Sequence, residues 1–84
     1  MARSNYTYSI DTETNVVSII DLGGNYTSVT NNAENVITDI VKNEGKYITD
    51  YKFVYCDTDD NWDTLIPTFK DGKCIDVKFI PGVN

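Results

Sequence analysis

Apolar residues in the middle of the chain recur at the spacing of a helix. Five of them fall at i, i+3, i+4, i+7 and i+8, namely Ala33, Val36, Ile37, Ile40 and Val41. This spacing puts all five on one stripe of an α-helix. Thr30 or Asn31 can cap the first turn, and Gly45 supplies a stop signal. The pattern predicts one amphipathic helix over about residues 31–44.

The segment before this helix has the shorter period of β-strands. Residues 6–10 alternate Tyr, Thr, Tyr, Ser and Ile, and residues 16–20 are β-branched except for one Ser. Turn-forming residues occupy positions 11–15 between them. The pattern predicts an opening β-hairpin.

A second hairpin is predicted after the helix. Residues 51–56 are aromatic and β-branched, and residues 62–66 resume this character after a polar turn. Pro67 cannot donate a hydrogen bond to a neighbouring strand. We therefore expect the second of these strands to end at Pro67 or to lie at a sheet edge.

A last strand is predicted over residues 73–80. The dipeptide Asp71-Gly72 before it is a hairpin turn signal. Within the strand, Ile75, Val77 and Phe79 alternate with Asp76 and Lys78. The alternation predicts one buried face, formed by the three apolar residues, and one solvated face.

The predicted elements follow one another in the order ββαβββ. A chain of 84 residues is too short to form two separate hydrophobic cores, so we expect a single domain over residues 1–84. The predicted fold class is α+β, with a largely antiparallel sheet and one amphipathic helix packed on one face. The opposite face of the sheet is expected to be at least partly wet.

Charge and composition narrow the functional classes. Thirteen acidic residues against seven basic ones give a net charge of −6, so the average surface repels nucleic acids and anionic membranes, although a local patch could override the mean. No apolar run approaches the ~20 residues of a membrane span, and no signal peptide precedes the first strand. We expect a protein of the cytoplasm, without direct nucleic-acid or membrane binding, in which Cys56 and Cys74 are buried thiols.

The sequence argues against an enzyme. It contains no histidine, which is the commonest general base and the commonest metal ligand. Neither cysteine has an obvious activating partner, and no serine stands in a nucleophile-elbow motif. We expect no catalytic residues and no cofactor.

The densest cluster of potential ligands lies in the turn of the second hairpin. Its carboxylates stand at nearly alternate positions, as a hard cation such as calcium would require. The EF-hand pattern fails, because Trp62 replaces the turn glycine and Thr68 the bidentate glutamate. We therefore predict no metal site; the segment is either a solvated hairpin tip or a partner-binding surface, whose candidate residues are Asp57, Asp59, Asp60, Trp62 and Asp63.

A second candidate site precedes the helix. Gly23 and Gly24, followed by a helix start, could offer backbone N–H groups and the positive end of the helix dipole to an anion. The full Gly-x-Gly-x-x-Gly spacing is missing, and an ordinary turn is the simpler interpretation. The candidate ligand-binding residues are Gly24, Tyr26, Ser28, Thr30 and Asn31.

Residues 27–37 and 55–66 resemble two recurring stretches of a group of small bacteriophage accessory proteins without an assigned activity. In that group a Ser-Val-Thr-Asn helix start is followed by a Tyr-x-Asp-Ser/Thr strand and a turn ending in Trp-Asp-Glu. This chain has Thr64 where the group has the glutamate. The resemblance implies a phage gene product that acts in the bacterial cytoplasm.

Three functional hypotheses follow. The first is a protein–protein interaction module, a phage accessory or counter-defence factor that binds and blocks a host protein, with its acidic face mimicking nucleic acid or steering onto a basic target. The second is a small-ligand binder, in which a homo-oligomer sequesters a nucleotide signal between subunits. The third is a minor component of the virion.

Overall fold

The computed structural model describes residues 6–22, 29, 32–56 and 62–82. The elements are β1 (Tyr6–Asp11), β2 (Val16–Asp21), α1 (Ala33–Glu44), a 3-10 helix η1 (Lys46–Asp50), β3 (Lys52–Cys56), β4 (Trp62–Lys70) and β5 (Lys73–Ile80). The strands form one five-stranded sheet in the order β1-β2-β3-β4-β5. The predicted α+β class and the ββαβββ order are confirmed.

Three of the four strand pairs are antiparallel, and β2–β3 is the parallel exception. Parallel neighbours cannot be joined by a tight hairpin, because the chain must return to the same end of the sheet. Helix α1 lies in this return connection, between β2 and β3 in the chain. The helix is therefore part of the crossover connection that parallel neighbours require.

The apolar stripe of α1 is buried as the periodicity predicts. The helix begins at Ala33, later than expected, and its N-cap is Asn32 rather than Thr30 or Asn31. The backbone N–H of Asn32 donates to the Val29 carbonyl at 3.1 Å, next to the first residue of the helix. Gly45 ends the helix as predicted, with φ +93° and its N–H donating to the carbonyl of Val41.

The core lies between α1 and the inner face of the sheet. Its largest fully buried side chains are Phe53, Ile19, Ile37, Ile40, Ile48, Leu65, Val17 and Val29. Tyr55 is also buried, and its hydroxyl donates to Asp21 Oδ2 at 2.7 Å. Cys56 and Cys74 are both buried thiols, as predicted.

The structure corrects the prediction that a strand ends at Pro67. Strand β4 continues through Pro67 to Lys70, and Pro67 pairs with Val77 of β5. The β3–β4 pairing stops at Phe53–Leu65, so none of the described strands lies beside Pro67 on the β3 side. The lack of an N–H on Pro67 therefore removes no hydrogen bond between β4 and β3. The alternative expectation of an edge strand is also wrong, because β4 lies between β3 and β5 in the sheet.

The structure also corrects the predicted buried face of β5. Thr68 pairs with Asp76 and Phe69 with Cys74, so Ile75 is an extra residue in a β-bulge. Ile75 is 53% exposed, and Cys74 takes the buried position instead. The alternation resumes after the bulge, which leaves Val77 and Phe79 partly buried against the core as predicted.

The hairpin turn between β4 and β5 is the one predicted from Asp71-Gly72. Asp71 has φ +53° and Gly72 has φ +81°. Positive φ at both central residues is the requirement of a type I′ turn, whose twist matches that of the flanking strands. The opening hairpin over β1 and β2 is confirmed as well.

Candidate binding face

Helix α1 packs on one face of the sheet, and no helix of the described residues lies on the other face. Strand side chains alternate between the two faces. Val17 and Ile19 are fully buried in the core, and so is Phe53. The strand residues that alternate with these buried ones make up the other side, which we call the open face.

Large apolar side chains gather on the open face. In one row across the sheet, Ile20 pairs with Cys56 and Cys56 pairs with Trp62. In the next row, Val54 pairs with Thr64 and Thr64 with Ile80. Cross-strand neighbours lie ~5 Å apart at their Cβ atoms. We call the following set the apolar patch: Ile20, Val54, Cys56, Trp62, Ile66 and Ile80.

Much of this patch is accessible to solvent. Trp62 is 44% exposed, and Ile66 and Ile80 are 45% and 44% exposed. Ile20, on the β2 side, is 36% exposed. Ile80 lies diagonally between Trp62 and Ile66, because its direct partner is Thr64. The exposed apolar atoms are therefore neighbours on one surface, unlike the single exposed apolar residues that any protein carries.

The backbone of Trp62 is held from two sides. Cys56 pairs with it on β3, and Gly82 passes it on the other side. A Cβ added to Gly82 would stand 1.4 Å from the Trp62 carbonyl oxygen, so a side chain has no room at this close approach. The Gly82 N–H donates to Asp63 Oδ1 at 3.0 Å. The ring of Trp62 thus projects from a fixed position on the sheet.

Trp62 and Asp63 are the two predicted partner-binding residues that the structure places. They alternate in β4: Trp62 is on the open face, whereas Asp63 pairs with Tyr55 on the other face and binds the Gly82 N–H. Asp57, Asp59 and Asp60 lie outside the described residues. So do all five candidate ligand-binding residues, Gly24, Tyr26, Ser28, Thr30 and Asn31.

Lysines lie along one side of the apolar patch. Lys78 pairs with Ile66, and Lys52 stands one residue beyond the last β3–β4 pair, on the other side of Ile66. Lys70 and Lys73 pair with each other at the hairpin end of the same face. None of these four lysines is directly opposite a carboxylate across its strand pair. The open face is therefore apolar in the middle and basic along one side.

Three side chains on the helix side have raised pKa values. The Tyr8 hydroxyl donates to Glu44 Oε2 at 2.8 Å, joining β1 to the end of α1, and this bond to a carboxylate raises the pKa of Tyr8. Burial, with the nearby charge of Asp39, raises the pKa of Tyr6. Burial also raises the pKa of the Cys74 thiol, which keeps it protonated and poorly nucleophilic.

Across its whole length the chain matches no family model, no curated protein and no solved structure. Within the part of the chain that is described, no three Cys, Asp or Glu side chains are grouped so as to hold a metal ion. The described helices include none with the length and apolar character of a membrane span.

The sequence pattern predicts Trp62 as a contact residue but does not predict the isoleucines around it. The strand alternation placed Lys78 on the solvated side, which was correct. Ile20 and Ile80 come from the first and last hairpins of the chain, and their proximity depends on the strand order. A period-2 reading of β4 would have linked Trp62 to Ile66, because they are four residues apart on one strand.

Proposed function

We propose that this chain is a protein-binding module whose contact surface is the open face. The observation that supports the proposal most is the cluster of exposed Trp62, Ile66 and Ile80 on the five-stranded sheet. Contiguous exposed apolar side chains with a polar surround are typical of protein interaction sites. A face of this kind carries a solubility cost that a binding role accounts for.

Trp62 is the proposed anchor of the contact. A tryptophan side chain offers up to ~250 Å² of surface, so 44% exposure leaves ~100 Å² for a partner to cover. At ~25 cal/mol per Å² this burial is worth about 2–3 kcal/mol. Such a value lies in the range of interface hot spots, where tryptophan is enriched. Because the Trp62 backbone is already held by its neighbours, binding requires little further ordering of the main chain at this position.

The geometry favours a protein over a single-stranded nucleic acid. Stacking platforms for bases use several aromatic rings on one face. Trp62 is the aromatic member of the apolar patch, and its large neighbours are isoleucines, which pack against apolar side chains but offer no ring to a base. The resemblance to small phage proteins adds the proposal that the partner is a bacterial host protein that this module blocks.

Affinity purification with matched baits tests the proposal. The baits are the wild type, Trp62→Ala and a control, Tyr47→Ala, whose ring is 63% exposed on η1 and not on the sheet. Each protein retained by the wild type is then purified and titrated against the three baits by calorimetry. We expect Trp62→Ala to weaken binding about 30-fold or more and Tyr47→Ala to leave it unchanged.

Two results would contradict the proposed function. One is a purified complex that binds Trp62→Ala as tightly as the wild type. The other is an equal loss in Tyr47→Ala, which would show that the contact is not confined to the open face. Circular dichroism of each variant serves as the folding control, because Trp62 lies near the surface and its truncation should leave the sheet intact.

A further inference from the structure

We infer that the open face binds a protein surface that is apolar at its centre and acidic at its rim. This inference rests on the proposed function and adds the chemistry of the partner. It is carried by the distribution of charge, which differs between the open face and the rest of the chain.

The open face has a charge opposite to that of the whole protein. Among the described strand residues it carries four lysines and two aspartates, Asp11 and Asp76. Its formal charge is therefore +2. The chain has 13 acidic and seven basic residues, so the residues not assigned to this face number 11 acidic and three basic, with a net charge of −8. The average acidity thus hides a basic surface.

The lysines are placed where a partner bound at the apolar patch would meet them. Lys52 and Lys78 flank Ile66 in one row of the face. Lys70 and Lys73 stand directly opposite each other, an arrangement of like charges that weakens a strand pair. Asp76 is a diagonal neighbour of Lys70, so one carboxylate faces the two lysines. A carboxylate-bearing partner would relieve the repulsion between them.

Charge also discriminates between the possible occupants. Two open faces packed on each other would bring two surfaces of +2 together, so a face-to-face dimer of this chain is disfavoured. A basic partner surface would be repelled in the same way. An acidic rim is attracted to the lysines of the open face.

A random dodecapeptide library displayed on yeast tests the inference, because it offers the open face peptides of every charge and hydrophobicity at once. Clones are selected on the wild-type protein and then counter-selected on Trp62→Ala. We expect the surviving peptides to contain apolar residues together with more Asp and Glu than Lys and Arg, relative to the unselected library. The strongest peptide is synthesised with a fluorescent label, and its affinity is measured by anisotropy.

Charge variants of the protein complete the test. We expect Lys52→Gln/Lys78→Gln to weaken peptide binding about tenfold, since two screened ion pairs contribute about that much. Lys42→Gln, which removes a charge from α1, is the control and should leave the affinity unchanged. Raising the salt from about 0.05 M to about 0.5 M should weaken wild-type binding and have less effect on the double variant.

The outcomes separate the inference from the proposed function. Peptides that depend on Trp62 but show no acidic excess, with no effect of the lysine changes, overturn the acidic partner and leave the protein-binding function standing. A selection that yields no Trp62-dependent peptide counts against both. Trp62-dependent binding of a labelled 12-nucleotide oligothymidylate, with no such peptide, would assign the face to single-stranded nucleic acid and overturn both.

Discussion

Removing the Thr38 hydroxyl from α1 should destabilise the fold without changing its shape. The backbone N–H of Cys74 donates to Thr38 Oγ1 at 2.9 Å. Strand β5 is at the edge of the sheet, so its outward N–H groups have no neighbouring strand to bond with. In Thr38→Val the side chain keeps its shape and its β-branching, but the acceptor is lost.

The expected loss of stability is about 1–3 kcal/mol. A hydrogen bond contributes ~1 kcal/mol net, and a buried donor left without an acceptor costs up to ~3 kcal/mol. Cys74 is 6% exposed, so water does not readily replace the hydroxyl. In a domain of this size each kcal/mol corresponds to about 4–8 °C in Tm. The control Thr38→Ser retains the hydroxyl and loses one methyl group, worth at most ~0.8 kcal/mol.

Urea unfolding followed by circular dichroism measures these differences. We expect the midpoint to fall in the order wild type, Thr38→Ser, Thr38→Val, with an unchanged m-value. Amide hydrogen exchange gives a local readout, because the Cys74 N–H should exchange faster in Thr38→Val than in Thr38→Ser. If Thr38→Val is as stable as the wild type while Thr38→Ser is not, the methyl contact matters and the hydrogen bond does not.

Three further predictions concern the bulge, the turn and one titrating group. Ile75 is exposed at the bulge, so Ile75→Ser should change the free energy of unfolding by no more than about 0.5 kcal/mol. Leu65 is buried, so Leu65→Ala should lower it by about 2–5 kcal/mol. Similar losses in both variants would contradict the bulge. Gly72→Ala should cost about 1–2 kcal/mol in urea unfolding through its φ of +81° alone, since a Cβ there meets no atom within 4 Å; an unchanged midpoint would argue against the type I′ turn. By ¹³C NMR the pKa of Tyr8 should lie above 10.0, and it should fall in Glu44→Gln. Because the pKa is raised in the folded state, the hydrogen bond to Glu44 stabilises the fold fully below pH 10. This stabilisation is lost as the pH rises through the pKa of Tyr8 in the folded state.

The helix and the hairpins could be predicted because each is encoded by residues close in sequence. The 3.6-residue period fixed the buried stripe of α1. Asp71-Gly72 fixed its turn, since that dipeptide tolerates positive φ at both positions. The helix start was misplaced by about two residues, because several polar residues in a row offer alternative caps and tertiary packing selects among them.

The bulge and the run through Pro67 could not be predicted, because both depend on the partner strand. The alternation in residues 73–80 is strict, and it favours Ile75 as a buried residue. The pairing of Thr68 with Asp76 inserts Ile75 as an extra residue and moves Cys74 inward. Pro67 is tolerated because β3 begins at Lys52, too late to pair beside it. The sequence of one strand does not predict the length of its partner strand or the register of their pairing.

The candidate site shows the same limit, and it explains why the sequence favours the acidic turn as a contact surface. The net charge is a sum over the whole chain, and its value of −6 draws attention to the carboxylates. Recognition depends instead on the local field at the surface that is desolvated on binding. The parallel pairing of β2 with β3 brings Ile20 to the row of Trp62, and the β4–β5 hairpin brings Lys78 beside Ile66. The apolar patch and its lysines therefore form one surface through the strand order, so that a domain acidic on average presents a basic rim where its apolar atoms are exposed.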